Sequence, residues 1–512
     1  MTSPYLVLSS ICIGLPLAVT AQSPIRIDPT VAGQVAEIDE RFSSYNVEMA
    51  EVVGGDFWIP YDQMDTTQTA ALGGGAQVGE DKNRYRYRPP VDLRNARLRT
   101  LARALSPAFV RVSGSWANYV YFQDNDSTKL EQAPAGFRNV LTREEWRGVL
   151  DFAEAADADL MTSFTISSGV RDTAGRWTAQ QARRLVNFTR EAGGTIDAVQ
   201  FFNEPNLPEY AGAPEGYTAE DFARDVATFT DFIQTELPGV PIAGPDAVGE
   251  GGMLPPGMNM PLNTDALLSA TPKPDFDIFA YHHYGGVSRR CATTPPMHSP
   301  VDSALTDTWL NKTLRTYSFY REQHDQHLPS TPIWLTETAE AACGGNPWAA
   351  EWVDVFRYLT QMGLLAREDV RVIMHNTLTA SEYGLLEQSD HTPRPNYWAA
   401  LLWRRLMGTR VFDPGVHGGR LGVYLHSHRD DPDGKTLLLI NPTDRAIPVE
   451  IPVAGARYTL TSDGLRSKTV YLNGEALRLT ADDELPELSG IPTEAGRLEV
   501  PAYGVVFVAM RD

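Results

Sequence analysis

Two glutamates stand where an apolar run stops abruptly. Glu204 follows the segment AVQFF at residues 198–202, inside the tetrad Asn203-Glu204-Pro205-Asn206, and Glu337 follows IWLT at residues 333–336. A carboxylate at the end of a buried strand is poorly placed for packing and well placed to face a cleft. Two of them brought together supply what glycoside hydrolysis needs: a proton donor for the leaving oxygen, and a second carboxylate to attack or to activate water. Asn203 can donate its amide to a sugar 2-hydroxyl, a contact that strengthens as the oxocarbenium-like state forms. Taken singly, an N-E-P tripeptide is equally a turn, and a glutamate after a strand is more often a surface residue. The pair gains weight from the elements that hold it.

Those elements follow a strand–helix rhythm. Strands are expected at residues 42–49, 108–112, 160–166, 198–202, 240–244, 276–282, 332–336 and 370–374. Helical spacing occurs at 93–105, 146–156, 179–192, 218–235, 305–326, 348–365 and 397–407. This is the α/β pattern of a (β/α)8 TIM barrel, whose active site lies at the C-terminal strand ends. Glu204 then follows the fourth strand and Glu337 the seventh, across the ring from each other. An open doubly wound sheet is the rival arrangement. After Gly408 the pattern becomes short strands separated by turns such as Asp433-Gly434, which predicts an accessory β-sandwich. The expected division is a signal peptide at 1–21, an N-terminal strand at 22–40 that joins the sandwich, a catalytic barrel at 41–409 and the sandwich at 410–512. Residues 54–61, with Phe57, Trp58 and Tyr61, read as a long loop that Gly73-Gly74-Gly75 continues, and 85–90 reads as irregular.

The chain has 512 residues, 42% hydrophobic and 21% charged, as in a globular protein. Its net charge of −21 argues against a nucleic-acid binder and makes a polyanionic substrate less comfortable unless a basic cleft overrides the average. The apolar start of the chain suits signal cleavage and is too short and interrupted for a membrane span, so a secreted or periplasmic protein without membrane insertion is expected. Cleavage removes Cys12 and leaves Cys291 and Cys343, which either pair in an oxidising compartment or stay free. His282 and His283 read as core or supporting residues; metal ligation ranks below that, because no Cys/His/Asp cluster at short spacing accompanies them. No metal and no cofactor are expected. Tyr284 is a candidate hydrogen-bond donor to the attacking carboxylate. Trp58, Trp116 and Trp348 are cleft platforms or, more often for such residues, packing. Arg289 and Arg290 either face sulfate groups or serve structure.

Several segments carry a family resemblance. NEPN at 203–206, HHY at 282–284 and TETAEAACGG at 336–345 resemble glycoside hydrolase family 79, the heparanase and β-glucuronidase family. SYNVEMAEVVGG at 44–55, FVRVSGSWAN at 109–118 and PNYWAALLWRRLMGT at 395–409 are similar to its bacterial heparanase-like members. The resemblance spans nearly the whole chain after the leader. It implies retaining enzymes that cleave β-D-glucuronides, some inside heparan sulfate and others at chain ends, on a barrel with a sandwich built from both termini. It implies Glu204 as acid/base, Glu337 as nucleophile and Asn203 as the asparagine before the acid/base, with His282 and Tyr284 beside the nucleophile. Tyr383 and the Gly344-Gly345 backbone would hold the sugar carboxylate, and Glu48 would complete the sugar-binding set. Cys343 replaces the first glycine of that loop in the human-type enzyme. Tyr210 stands where that enzyme has a lysine, which argues against the same contact with a sulfated aglycone. The basic excised linker of the animal enzymes has no counterpart, so a single-chain enzyme is expected.

The expected partner is a glucuronic-acid-containing oligosaccharide or polysaccharide, and a monomer is expected. The leading reading is endo-hydrolysis of heparan sulfate or a related glycan by double displacement. The alternatives are exo-hydrolysis of terminal glucuronides and a noncatalytic carbohydrate-binding protein. A cleft open at both ends would indicate endo action, and one blocked beyond a single sugar exo action.

Overall fold

The computed structural model describes residues 23–64, 81, 83–253, 260–292 and 297–511. The expected leader at 1–21 with Cys12, and the Gly73–Gly75 run, lie outside the described residues.

Eight parallel strands close into a barrel: β1 (Ser43–Glu48), β2 (Ala108–Ser113), β3 (Ala158–Ser163), β4 (Ala198–Gln200), β5 (Ile242–Ala247), β6 (Ile278–Tyr284), β7 (Ile333–Ala339) and β8 (Val370–His375). Each pairs with its neighbour in chain order, and β8 closes on β1. Helices intervene where the sequence supplies start signals. Thr142 and Glu145 form a reciprocal capping box for Arg143–Ala156, Thr218 and Asp221 do so for Ala219–Glu236, and Pro395 opens Pro395–Leu406.

Alternate residues of each strand point inward, so the barrel interior is stacked in layers. Its floor is apolar: Phe109, Met161, Ala198, Ala243, Ala280, Trp334, Val372 and Met374 form one cluster, and the Phe109 and Trp334 rings meet at 5.0 Å. Toward the strand C-termini the layer turns polar, beginning with Arg111 two residues beyond Phe109.

Several local expectations need correction. The aromatic stretch expected as loop is an antiparallel pair, Gly55–Trp58 with Tyr85–Arg88. Its partners are separated by a long insertion, so no turn signal joins them. The helix expected at 305–326 breaks at Asn311 into Asp307–Leu310 and Lys312–His327. The segment 348–365 is a short turn, Pro347–Ala350, followed by Val353–Arg367.

Two accessory sheets lie beside the barrel. In one, Ile25–Arg26 pairs with Ile447–Ile451, which pairs with Gly496–Val500. In the other, Gln34–Glu37 pairs with Met407–Phe412, and the sheet continues through Gly422–His428, Lys435–Asn441, Gly504–Met510 and Gly455–Ser462. Ile27, Leu425, Leu437, Leu439, Val449 and Val506 pack together between them. Residues from both ends of the chain therefore share one apolar core. No helix among the described residues is long and apolar enough to cross a membrane.

Candidate active site

Glu204 lies just past β4, with φ at 55°, in the left-handed region that glutamate seldom adopts. Strain of this kind persists where surrounding structure enforces it, and it concentrates at functional positions. Here Asn118 holds the preceding residue from both sides: its Nδ2 donates to the Asn203 carbonyl at 3.0 Å, and its Oδ1 accepts from the Asn203 N–H at 3.0 Å. Glu337 lies within β7, one residue into the polar layer, and points into the same cavity.

Arg111 joins the two strand ends. Its guanidinium donates to Glu337 Oε2 at 2.8 Å, to Asn203 Oδ1 at 2.7 Å and to Gln200 Oε1 at 2.7 Å, and Arg111 has no exposed surface. Tyr284 donates its hydroxyl proton to the other oxygen of Glu337 at 2.5 Å. His282 stands between the glutamates, with Nδ1 at 3.2 Å from Glu204 Oε1 and 3.9 Å from Glu337 Oε2, and Nε2 at 3.5 Å from Asp246. Asn376 Nδ2 reaches Glu48 Oε1 at 3.1 Å and the hydroxyls of Tyr284 and Tyr383 at 3.0 and 3.2 Å.

These surroundings pull the two carboxyls apart. Burial raises Glu204 above its ordinary value, with the Glu337 charge adding to the rise and His282 opposing it. Burial would also raise Glu337, but His282, Arg111 and the Tyr284 hydroxyl together hold it below its ordinary value. Burial would lower His282, yet the Glu337 charge and the contacts with Asp246 and Glu204 raise it to about 9, so the ring carries a proton at neutral pH. Glu48 is raised well above its ordinary value by burial first and then by Glu337. A hydrogen-bonded acid beside an ionised carboxylate is the division of labour that acid/base chemistry requires.

The pair opens on a cavity of about 690 Å³. Glu48, Glu204, Glu337, Tyr284, Tyr383, Tyr210 and Trp116 line it. Trp116 donates its indole N–H to the Asp56 carbonyl and packs edge-on against Phe57 and Trp58, which makes it wall and packing at once. Asn203 sits one layer behind, with Nδ2 3.3 Å from the lining residue Ser115. Gly344 and Gly345 have φ of +77° and +73°, and a Cβ on Gly344 would lie 2.8 Å from Trp58 and Arg290 side-chain atoms. Among the described residues neither glycine N–H has a hydrogen-bond acceptor. Cys291 and Cys343 are bonded as a disulfide at the cavity edge.

Asn203, His282, Gly344, Gly345, Trp348, Arg289 and Arg290, all expected at the site, do not line the cavity. Trp348 packs against Trp309, with ring centroids 5.7 Å apart. Arg289 is exposed and lies over the Tyr61 ring. Arg290, which the sequence offered as a sulfate ligand, is 1% exposed and spends its guanidinium on the Ile59, Cys343 and Gly345 carbonyls and on Glu382. His283 is buried among apolar and cationic groups that push it down to about 3, so it stays neutral.

Sequence reasoning missed Arg111 and Asn376 as parts of the site. Arg111 carried a signal, since a charge inside the strand AFVRV must find a partner when buried. Asn376 carried none. Ligand atoms of Glu204, His282 and Glu337 lie within 4.8 Å of one another, the spacing of a metal site. The Arg111 guanidinium, 2.8 Å from Glu337, already sets a fixed positive charge against one of these carboxylates, which opposes a bound dication.

Comparison with known proteins agrees with this layout. Residues 90–363 match the N-terminal domain of glycosyl hydrolase family 79. The chain is 25% identical over 514 residues to "Heparanase-like protein 1" of Arabidopsis thaliana, covering 90% of this chain and 88% of that one. It is 26% identical over 486 residues to "Heparanase" of Bos taurus, covering 82% and 85%. Its fold resembles a 4-O-alpha-L-rhamnosyl-beta-D-glucuronidase from Fusarium oxysporum, with a TM-score of 0.61 at 12% identity, over 95% of this chain and all of that one.

Proposed function

Because this chain belongs to glycosyl hydrolase family 79, we propose that it is a retaining β-D-glucuronidase. The observation that carries the reading is the pair Glu204 and Glu337, with oxygens within 4.8 Å of each other, facing one cavity and shifted in opposite directions. Retaining glycosidases hold their carboxyls roughly 5–5.5 Å apart, and inverting ones leave more room for a water.

Glu337, ionised, attacks the anomeric carbon while Glu204 gives its proton to the leaving oxygen. The bond between Glu337 and the sugar removes the negative charge beside Glu204. Its pKa then falls, and it can take a proton from the water that releases the sugar. Arg111 and Tyr284 fix the attacking oxygens. The Arg111 contact turns the Asn203 amide nitrogen toward the cavity side, where a 2-hydroxyl would sit. Tyr383 accepts from Asn376, which leaves its own proton free for the sugar carboxylate, and the Gly344–Gly345 turn packs behind it, where a Cβ on Gly345 would lie 3.1 Å from the Tyr383 ring. Glu48, kept neutral by burial, can donate to a ring hydroxyl; its Oε2 has no partner among the described residues. Gly114 makes room for it, since a Cβ there would fall 1.6 Å from that oxygen.

The names of the curated relatives suggest heparan sulfate as a substrate, and support from this chain's own residues is weaker there, because no arginine or lysine from the expected sulfate-facing pair enters the cavity. The test is hydrolysis of 4-nitrophenyl β-D-glucuronide followed by proton NMR. β-Glucuronic acid should appear first. No hydrolysis, or the α-anomer first, would overturn the proposal.

A further inference from the structure

A third carboxylate stands beside His282. Asp246 lies in β5, is 1% exposed and does not line the cavity. Its backbone is left-handed, with φ at 60°. It is also a bulge: Pro245 pairs with Ala280 and Ala247 with Tyr281, so Asp246 is the extra residue of its strand. Strand β7 carries a matching bulge on the other side of β6. There Leu335 pairs with Tyr281 and Glu337 with His282, which makes Thr336 the extra residue. The two extra residues meet, since Thr336 Oγ1 donates to Asp246 Oδ1 at 2.5 Å. A bulge beside a cleft re-aims a side chain. Here Asp246 Oδ1 is brought to 3.5 Å from His282 Nε2, while the other ring nitrogen, Nδ1, is 3.2 Å from Glu204 Oε1. A buried carboxylate on strained backbone is costly unless it is paired, and the ring is the charged partner within reach.

Four charged or titratable groups face this ring: Arg111 from β2, Glu204 past β4, Asp246 from β5 and Glu337 from β7. They divide between its two nitrogens. Nδ1 faces the two glutamates. Nε2 is contested, with Arg111 Nη2 at 3.5 Å as a donor and Asp246 Oδ1 at 3.5 Å as an acceptor. Arg111 Nη2 has a closer acceptor in Asn203 Oδ1, at 2.7 Å. A proton on Nε2 therefore finds Asp246, and the Arg111 fork keeps its own partners. Burial alone would discharge the ring; the Glu337 charge, then the Asp246 and Glu204 contacts, hold its proton.

We propose that Asp246 is a positioning residue for the acid/base step: it holds a proton on His282 Nε2 and so keeps a charged Nδ1–H directed at Glu204 Oε1. The inference rests on the glycosidase reading of Glu204 and Glu337. As Glu337 bonds to the anomeric carbon, the electron pair of the glycosidic C–O bond leaves with the aglycone oxygen, which takes the Glu204 proton. Glu204 becomes a carboxylate in a site with little water. His282 Nδ1–H then donates to it as a charge-assisted hydrogen bond. Asp246 itself touches neither the sugar nor the reacting atoms.

The first measurement needs no variant of Asp246. In the full chain with 15N-labelled histidine, the His282 signals are identified by their loss in His282→Gln, and they report the protonation of each ring nitrogen. Both nitrogens should carry protons at about pH 6. A neutral ring with Nε2 bare would overturn the proposal. The second measurement uses Asp246→Asn, which keeps an acceptor for Thr336 and drops the charge. On an alkyl β-D-glucuronide, whose leaving oxygen needs a proton, kcat/KM should fall about 10- to 100-fold, the usual worth of a hydrogen bond to a charged group. The loss should be smaller on 4-nitrophenyl β-D-glucuronide. The alkaline limb of kcat/KM should move up by about one pH unit, because Glu204 loses the cation that opposes its rise. In a His282→Gln background the same change should lower kcat/KM by less than about threefold, since Asp246 acts through the ring. An unmoved limb, equal losses on both leaving groups, or full additivity with His282→Gln would show that Asp246 serves the β5 bulge alone. Absence of any glucuronide hydrolysis by the parent would instead sink the glucuronidase reading, and the histidine signals would still decide the Asp246 contact.

Discussion

Arg111 Nη1 lies 2.8 Å from Glu337 Oε2, with the arginine side chain 1% and the glutamate side chain 7% exposed. A cation this close in a water-poor site sets the acidity of the carboxylate it touches. Replacing it with an uncharged side chain should raise the pKa of Glu337. For Arg111→Met the acid limb of the kcat/KM profile should move to higher pH, and kcat should fall by about 10²–10³, the typical worth of one preorganised electrostatic partner. Arg111→Lys should restore part of the limb position, because charge returns without the three-way fork. A lower rate with an unmoved limb would show that Arg111 serves packing alone.

Glu337→Gln removes the attacking group and should lower kcat on an aryl glucuronide by at least about 10⁴-fold. Glu204→Gln should cost about 10²–10⁴-fold. The loss should be smaller for a good leaving group, such as 4-nitrophenol, than for an alkyl alcohol that needs protonation. Equal losses on both leaving groups would remove Glu204 from the proton-donor role.

The opposite shifts of the two glutamates predict a bell-shaped pH profile. Activity needs Glu337 ionised and Glu204 protonated. The rate should rise with pH through the lowered value of Glu337 and fall through the raised value of Glu204, so the acid limb lies below and the alkaline limb above the ordinary glutamate value of 4.5. An acid limb above pH 4.5, or an alkaline limb below it, would contradict this assignment.

Reduction of Cys291–Cys343, or the double change to serine, frees the start of the Gly344–Gly345 turn. The closed loop spans a sequence separation of 52 residues. Chain-entropy arguments put the lost stability at about 4 kcal/mol for loops of this order. The thermal midpoint should drop, and KM for a glucuronide should rise more than kcat falls, because the turn backs Tyr383, which lines the sugar cavity, and does not touch the reacting bond. A fall in kcat with KM unchanged would place the disulfide's effect elsewhere.

Glu340 is fully buried and accepts from the backbone and side chain of Asn346, just past the glycine turn. Burial, with the nearby Asp354 charge, raises it to about 8. The folded state therefore binds a proton that the unfolded state releases near 4.5. This contribution to stability is complete below pH 4.5 and lost as pH rises toward about 8. Glu340→Gln cannot ionise, so its stability relative to the parent should improve between pH 5 and 8, on the order of 2–4 kcal/mol. Denaturant unfolding at both pH values measures it; a difference that does not change with pH would exclude Glu340 as the titrating group.

The barrel was readable because its strands are apolar runs ended by polar residues, and Glu204 and Glu337 mark two of those ends. Periodicity locates such ends well and says little about what faces them. The pair Arg289-Arg290 looks like exposed basic surface in sequence. Arg290 is buried only because Ile59, Tyr61 and Glu382 arrive from distant segments. Likewise the strand Tyr85–Arg88 finds its partner across a long insertion, where no local turn chemistry announces it. Asn376 reads as an ordinary residue after a strand. Its link to Glu48, Tyr284 and Tyr383 exists only once the barrel closes.

The accessory sheets bear on how the chain is made. Ile25–Arg26 and Gln34–Glu37 are synthesised long before their partners at Ile447–Ile451 and Met407–Phe412. Until those partners emerge the edges have nothing to pair with, and contacts so far apart in sequence form slowly. A ribosome that stalls before residue 407 would release a barrel carrying two unpaired ribbons, ready to stick to any neighbour.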